Sequence, residues 1–214
     1  MTATRPPQTT LQGRFLRLEP LTPEHLPALY EAIGHAEVFE FGFGGGLSTP
    51  PTTKEAFIAW ALDHLEWDSG NPYAVVLTGG PHDGAVAGTT TLGEFDLRRE
   101  EAHLGWTAYD PRVWSTVVNP EAKLLLLGLA FDSGFGRVKI QTDALNARSR
   151  AAIAKLGATF EGIVRRDKPR ENGTWRDTAL FSILAEEWPG VRARLERRIE
   201  QNIGRPVLYR STAA

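Results

Sequence analysis

The stretch from Leu104 to Leu184 constrains the fold more than any other part of the chain. A strand ending Leu104-Gly105-Trp106-Thr107-Ala108-Tyr109 runs through the polar turn Ser115-Thr116-Val117-Val118-Asn119 into a helical run that opens Pro120-Glu121-Ala122-Lys123. A strand feeding a helix N-terminus builds an anion site, because the first helical N–H groups lack partners inside the helix and face whatever lies before them. This order predicts a ligand that carries phosphate.

Any such anion is bound locally, since the 214 residues carry a formal net charge of -2 with both signs interspersed. That balance gives no electrostatic case for nucleic acid or for an anionic membrane surface. The length suits one domain with an appended helix. The absence of cysteine excludes a disulfide framework, a thiolate metal site and a cysteine nucleophile; no metal is expected, and the composition fits cytosolic residence. No apolar run approaches the length of a membrane span, and residues 1–12 read as a loose leader.

From Gly13 the alternation Arg14-Phe15-Leu16-Arg17-Leu18-Glu19 predicts a strand. Thr22-Pro23-Glu24 starts a helix with Leu26, Leu29, Tyr30 and Ile33 on one face. A second helix is expected from about Thr52 to Ser69, then a hairpin of Tyr73 to Leu77 with Val86 to Leu92, and the strand Glu101 to Tyr109. The helix near Pro120 is followed by a strand Val138 to Thr142, and a helix Ala147 to Leu156 stops at Gly157. Strands near 158–165 and 178–184 flank a charged turn, and Glu187 to Ile203 forms a last helix. Its Val191, Leu195 and Ile199 stripe can pack on its own domain or against a second copy as a homodimer. Helices first, antiparallel strands next and then alternating strand and helix give a mixed α/β (α+β) order, which argues against an all-parallel sheet.

Two sets of residues can bear chemistry, and each has a local explanation too. Asn146 sits at a helix N-cap with Ser149 on the inward face near the same end; on spacing alone, capping and a satisfied small polar residue are the better account of them than catalysis. Asn119 before Pro120 reads as an N-cap pair, with Glu121 complementing the helix dipole.

Taken together, Leu104-Gly105-Trp106, Val118-Asn119-Pro120-Glu121-Ala122-Lys123-Leu124-Leu125 and Thr142-Asp143-Ala144-Leu145-Asn146-Ala147-Arg148-Ser149 with Lys155-Leu156-Gly157-Ala158 resemble the GNAT N-acetyltransferase superfamily. The branch of the ribosomal-protein N-terminal acetyltransferases is most similar. The resemblance implies an acetyltransferase domain over residues 13–185 and a C-terminal helix and tail over 186–214. It also implies a mostly antiparallel central sheet with helices on both faces and a splayed cofactor cleft for acetyl-coenzyme A. By resemblance the backbone of Trp106, Thr107 and Ala108 pairs with the pantetheine arm, and the turn Thr116, Val117, Val118 and Asn119 holds the pyrophosphate. Asn146 matches the asparagine that contacts the arm, and Ser149 the hydroxyl that protonates the departing thiolate. The turn departs from the family pattern, which carries glycines where this chain has Thr116-Val117-Val118-Asn119, and Pro120 removes one donor.

With no cysteine, direct attack of a bound primary amine on the thioester is the simpler route. Glu101 and His103 alternate on one face of their strand with Gly105 and Thr107, opposite Leu104 and Trp106, and are the candidate bases beside one acting through ordered water. Half-exposed strands also carry such residues for solubility alone. The loop Phe39-Glu40-Phe41-Gly42-Phe43 reads either as a pocket cover or as core packing. Arg165, Arg166, Lys168 and Arg170 form a charged hairpin that can also attract anions. The acceptor is a protein N-terminus or a small amine; the alternatives are another acyl group or a noncatalytic coenzyme A binding module.

Overall fold

A computed structural model describes residues 2–40, 42–45 and 50–211. Its strands are β1 (Leu11–Gln12), β2 (Leu16–Pro20), β3 (Asn71–Leu77), β4 (Val86–Asp96), β5 (Glu101–Tyr109), β6 (Arg137–Asp143), β7 (Thr159–Pro169) and β8 (Trp175–Leu184). The helices are α1 (Leu26–Ile33), α2 (Ala36–Phe39), α3 (Lys54–His64), α4 (Val118–Asp132), α5 (Ala147–Leu156) and α6 (Trp188–Glu200). One eight-stranded sheet runs β1-β2-β3-β4-β5-β6-β8-β7. Every neighbouring pair is antiparallel except β5 and β6.

Helices cover both faces of that sheet, because its inward residues are apolar on both sides. On one face α4, α5 and α6 bury Leu126, Leu127, Ile153 and Leu195 against Leu18, Val75, Leu104 and Val138. On the other, α1, α2 and α3 bury Leu29, Ile33, Phe39 and Phe57 against Ala74, Val76 and Ala108. Each buried Leu, Ile or Phe contributes about 1.5–3 kcal/mol relative to exposure. The α6 stripe of Val191, Leu195 and Ile199 belongs to the first core, packed on its own domain. No helix among the described residues is long and apolar enough to cross a membrane.

Helix ends follow local chemistry with some trimming. Thr53 Oγ1 accepts from the Ala56 N–H at 3.2 Å and starts α3, which ends at His64 because Leu65 turns to extended backbone. Pro23–His25 forms a short 3-10 turn ahead of α1. The segment that reads as a loose leader is pinned along the sheet. The Thr4 N–H donates to Ser133 O at 2.9 Å, Arg5 donates to Asp68 O and Gly70 O, and Asn71 Nδ2 donates to Pro6 O. Its prolines and polar side chains hide this, because their partners lie more than sixty residues away. Of the Phe39–Phe43 loop, Phe39 and Phe43 pack on Trp60 at 5.5 and 5.7 Å between ring centroids, as core and not as a cover. Phe41 lies outside the described residues.

Two strands of this sheet part company. β5 pairs with β6 only at Glu101↔Arg137, Ala102↔Val138 and His103↔Lys139. Beyond that point β6 continues along β8, while β5 continues along β4. The partners of β5 step from Thr91↔Gly105 to Thr89↔Ala108, so three residues of β5 span two of β4. This is a β-bulge, which bends its strand. Trp106 sits at its centre with φ 46°, a left-handed conformation costly for a bulky residue.

Candidate active site

The bulge resets which side chains face which helix. Leu104 faces α4, within the core built around Leu126. Trp106 breaks the alternation and lies on the opposite side, its ring centroid 4.6 Å from that of His103. Thr107 consequently points toward α4. There its hydroxyl meets Lys123 Nζ at 2.7 Å and Thr90 Oγ1 at 2.8 Å. Strict alternation puts Thr107 with His103 and Trp106 opposite them. The extra residue exchanges the two, a feature that no period-two pattern shows.

The turn after β5 is held from three sides. Asp110 is fully buried and takes three bonds from the Arg112 guanidinium, Nη2 to Oδ2 at 2.6 Å, Nε to Oδ1 at 3.0 Å and Nε to Oδ2 at 3.1 Å. Trp114 Nε1 donates back to Tyr109 O at 3.0 Å. Thr116 Oγ1 donates to Val113 O at 2.6 Å and accepts from the Val118 N–H at 3.3 Å. α4 therefore begins at Val118 with Val117 as its N-cap, and Asn119 lies in the first turn instead of capping it. Val117 makes no side-chain capping bond, and Thr116 Oγ1 takes the Val118 N–H from outside the helix. The N–H groups of Val117 and Asn119 precede the first helical bond, Glu121 N to Val117 O, and have no acceptor within the helix. Pro120 falls where the N–H has no helical partner, so its missing donor costs the helix nothing.

The turn's valines are part of the core. Val117 and Val118 are 5% and 1% exposed, their side chains turned into the α4 core. Glu121 does not serve mainly as a dipole partner. It is 2% exposed, and its carboxylate accepts from the N–H groups of Arg14, Phe15 and Leu16 at 2.8, 2.8 and 3.0 Å, tying the start of β2 to α4.

At the start of α5, Asn146 Oδ1 accepts from the Ser149 N–H at 2.8 Å, the capping bond expected of it. Ser149 is half-buried beside it. Asp143, the last residue of β6, pairs with Arg170 and accepts from the Leu145 N–H, fixing the loop that leads into α5. Next to this end, the Arg148 guanidinium lies 3.5 Å from the centre of the Trp114 ring. A cavity of about 330 Å³ opens there between Trp114, Ser115, Arg148, Arg210 and Glu37. The C-terminal tail builds one wall: Arg210 N donates to Arg112 O at 3.0 Å, and Tyr209 stacks on His82 at 3.8 Å. Nothing in the sequence pattern links that tail to the turn.

On the face away from α4 the titratable groups are paired. His103 is 3% exposed, with Nδ1 3.3 Å from Glu94 Oε1, and neither ring nitrogen makes a well-formed hydrogen bond among the described residues. Burial lowers the imidazole pKa against the pull of Glu94, so the ring is neutral near neutrality. Contact with His103 and with Lys139, 2.7 Å away, holds Glu94 down at about 2 despite its partial burial. A neutral imidazole facing an ionised Glu94 satisfies both directions. Glu101 forms an ion pair with Arg137, which also reaches Glu161 at 2.7 Å; these charges clamp the short stretch where β5 and β6 do pair.

On the face toward α4 lies a residue that the sequence pattern passes over. Lys123 is buried, has no carboxylate within ion-pair distance among the described residues, and reaches only Thr90 Oγ1 at 3.1 Å and Thr107 Oγ1 at 2.7 Å. Burial pushes its pKa down to about 7. The helical period alone signals it, since Lys123 shares a face with Leu126, Leu127 and Ala130.

The family model described as an acetyltransferase (GNAT) domain matches residues 16–159. A GCN5-related N-acetyltransferase from Brucella melitensis is 28% identical, with a TM-score of 0.85 over 99% of this chain and 95% of that one. An acetyltransferase candidate from T. thermophilus is 36% identical, with a TM-score of 0.77 over 89% and 96%. RimJ of Mycobacterium smegmatis, solved with CoA-disulfide, is 21% identical and shares the fold at a TM-score of 0.70 over 91% and 97%. No curated protein matches the sequence.

Proposed function

This chain belongs to the GNAT acetyltransferases, and from that premise we propose that it moves the acetyl group of acetyl-coenzyme A directly to a primary amine, a protein N-terminus or a small molecule. The observation that carries this reading is the parting of β5 from β6 after His103 and Lys139, with the bulge at Trp106 and the start of α4 both following on the chain. A cosubstrate with a long polar arm and a pyrophosphate fits such a gap. The β6-side edge of Trp106, Thr107 and Ala108 has no ladder partner, and the Val117 and Asn119 N–H groups have no helical acceptor.

In this reading the bound thioester supplies an activated acetyl carbon, and the chain supplies placement and protons. The backbone of Trp106, Thr107 and Ala108 lines up the arm. Thr116, Val117, Val118 and Asn119 hold the phosphates, and Asn146 holds the arm from α5. Ser149 gives its proton to the leaving sulfur. Of the two candidate bases, His103 fits better, because it is neutral near neutrality and packs against the bulge, whereas Glu101 is engaged with Arg137. His103 would take the amine proton through a water.

Calorimetric titration with acetyl-coenzyme A, with coenzyme A and ATP as controls, tests the premise. Saturable binding that prefers the acetylated form is expected, and no binding to either coenzyme A species would sink the proposal. Ser149→Ala should then lower kcat by about 10²-fold with little change in acetyl-coenzyme A affinity. Unchanged turnover would remove Ser149 from the mechanism.

A further inference from the structure

Lys123 is the least expected side chain in the core. An ammonium that leaves water needs partners for its donors, and most buried lysines find a carboxylate. Lys123 finds two threonine hydroxyls instead, on the two strands that meet at the bulge. Thr107 Oγ1 touches Lys123 Nζ at 2.7 Å, Thr90 Oγ1 at 2.8 Å and Gly105 O at 3.2 Å.

One arrangement of hydrogens satisfies every contact. Thr107 has a single hydroxyl proton, which goes to Gly105 O; Thr90 then donates to Thr107, and Lys123 donates to both threonines. The chain Lys123 to Thr107 to Gly105 O therefore spans the bulge from behind, tying residue 107 to the carbonyl of residue 105 across the left-handed Trp106. Strained backbone of this kind persists only where its surroundings over-determine it.

We infer that Lys123 is a positioning residue for acetyl transfer: acting through Thr107, it holds the bulge of β5 in the shape that presents the Trp106 to Ala108 backbone to the thioester arm. The inference rests on the reading of that backbone as the arm's partner. A lysine suits the position because its reach and donors bridge α4 to two strands at once. Its lowered pKa is consistent with this, because a neutral amine still carries the two protons that the threonines receive. Lys123 touches no reacting atom, so its effect is on placement.

The test uses full-length Thr107→Val, Thr107→Ser and Lys123→Met. Amide hydrogen exchange at residues 105–108 is read without ligand, and the ratio of coenzyme A to acetyl-coenzyme A Kd by calorimetry. Thr107→Val and Lys123→Met should each speed exchange at these amides by roughly tenfold. Each should also lower acetyl-coenzyme A affinity by roughly tenfold and coenzyme A affinity by less, so that the preference for the acetylated form shrinks. Thr107→Ser, which keeps the hydroxyl, should lie closer to wild type than Thr107→Val in both readouts. Should Lys123→Met fail to fold, the isosteric Thr107→Val carries the test alone. Wild-type exchange and an unchanged ratio in Thr107→Val overturn the inference, and so does a lower melting temperature with both readouts unmoved. A wild type that binds neither ligand would defeat the cosubstrate reading, and the exchange rates would still decide whether the clamp exists.

Discussion

The two faces of β5 meet the same bulge with opposite electrostatics. Toward α1 and α3, His103 faces Glu94, Glu94 pairs with Lys139, and Glu101 pairs with Arg137, so each charge has a neighbour of the other sign. Toward α4, Lys123 has only hydroxyls as partners among the described residues. The first face is partly open to water, where ion pairs cost little to assemble and contribute little. The second is dry, so a charge on Lys123, which has no carboxylate partner among the described residues, is costly.

The largest way to break this comparison is to remove the bulge's backing. A Cβ at Gly88, whose φ is +149°, would collide with the Ala108 carbonyl and press on Tyr109. Because both obstacles are on the paired strand itself, Gly88→Ala should destabilise by about 3 kcal/mol, seen as a lower urea midpoint. An unchanged midpoint would mean that the two strands have slack.

The next effect isolates the dry face. The Lys123 pKa falls from 10.5 to about 7 on folding, so between those values the unfolded chain binds more protons than the folded one. Wild-type stability should therefore rise relative to Lys123→Met as pH goes from 7 to 10.5, with no such gain below 7. Parallel curves from urea unfolding at each pH would show that the amine is not desolvated as its contacts imply.

On the open face the sign reverses. Glu94 is held at about 2 from an ordinary 4.5, which contributes stability above pH 4.5 that fades as pH falls toward 2. Glu94→Gln should cost about 1 kcal/mol at neutral pH, small because the carboxylate is partly solvated, and the difference should vanish in acid. A gap that widens on acidification would contradict the pairing. Smallest of all, Arg137→Met should shift stability by less than about 1 kcal/mol and leave acetyl-coenzyme A affinity unchanged, since the partly exposed pairs with Glu101 and Glu161 clamp strands away from the gap. A tenfold loss of affinity would move that clamp into the site.

Much of the fold is legible because it is written in short-range patterns. The α5 boundaries, its Asn146 cap and its left-handed Gly157 stop are local, and all three stand in the structure. The hairpin of β3 and β4 and the mixed strand order follow from alternation and turn residues in the same way. The site is legible only in outline. Asn119 falls inside the helix and not at its cap because the Glu121 N–H already bonds to Val117 O, and the facing of Trp106 and Thr107 is reversed by a bulge that leaves no periodic trace. Lys123 reads as one letter of a helix, since its partners are 33 and 16 residues distant.

The sequence by itself determined most of the elements, their order and the absence of cysteine chemistry, since these depend on composition, backbone propensities and contacts a few residues long. Tertiary structure alone decided the parting of β5 and β6, the burial of Lys123 behind the bulge, the Glu121 stitch to β2 and the tail against Arg112. Each of these joins groups far apart on the chain. Their energies come from desolvation and shared hydrogen bonds, which exist only once the distant strand or helix has arrived.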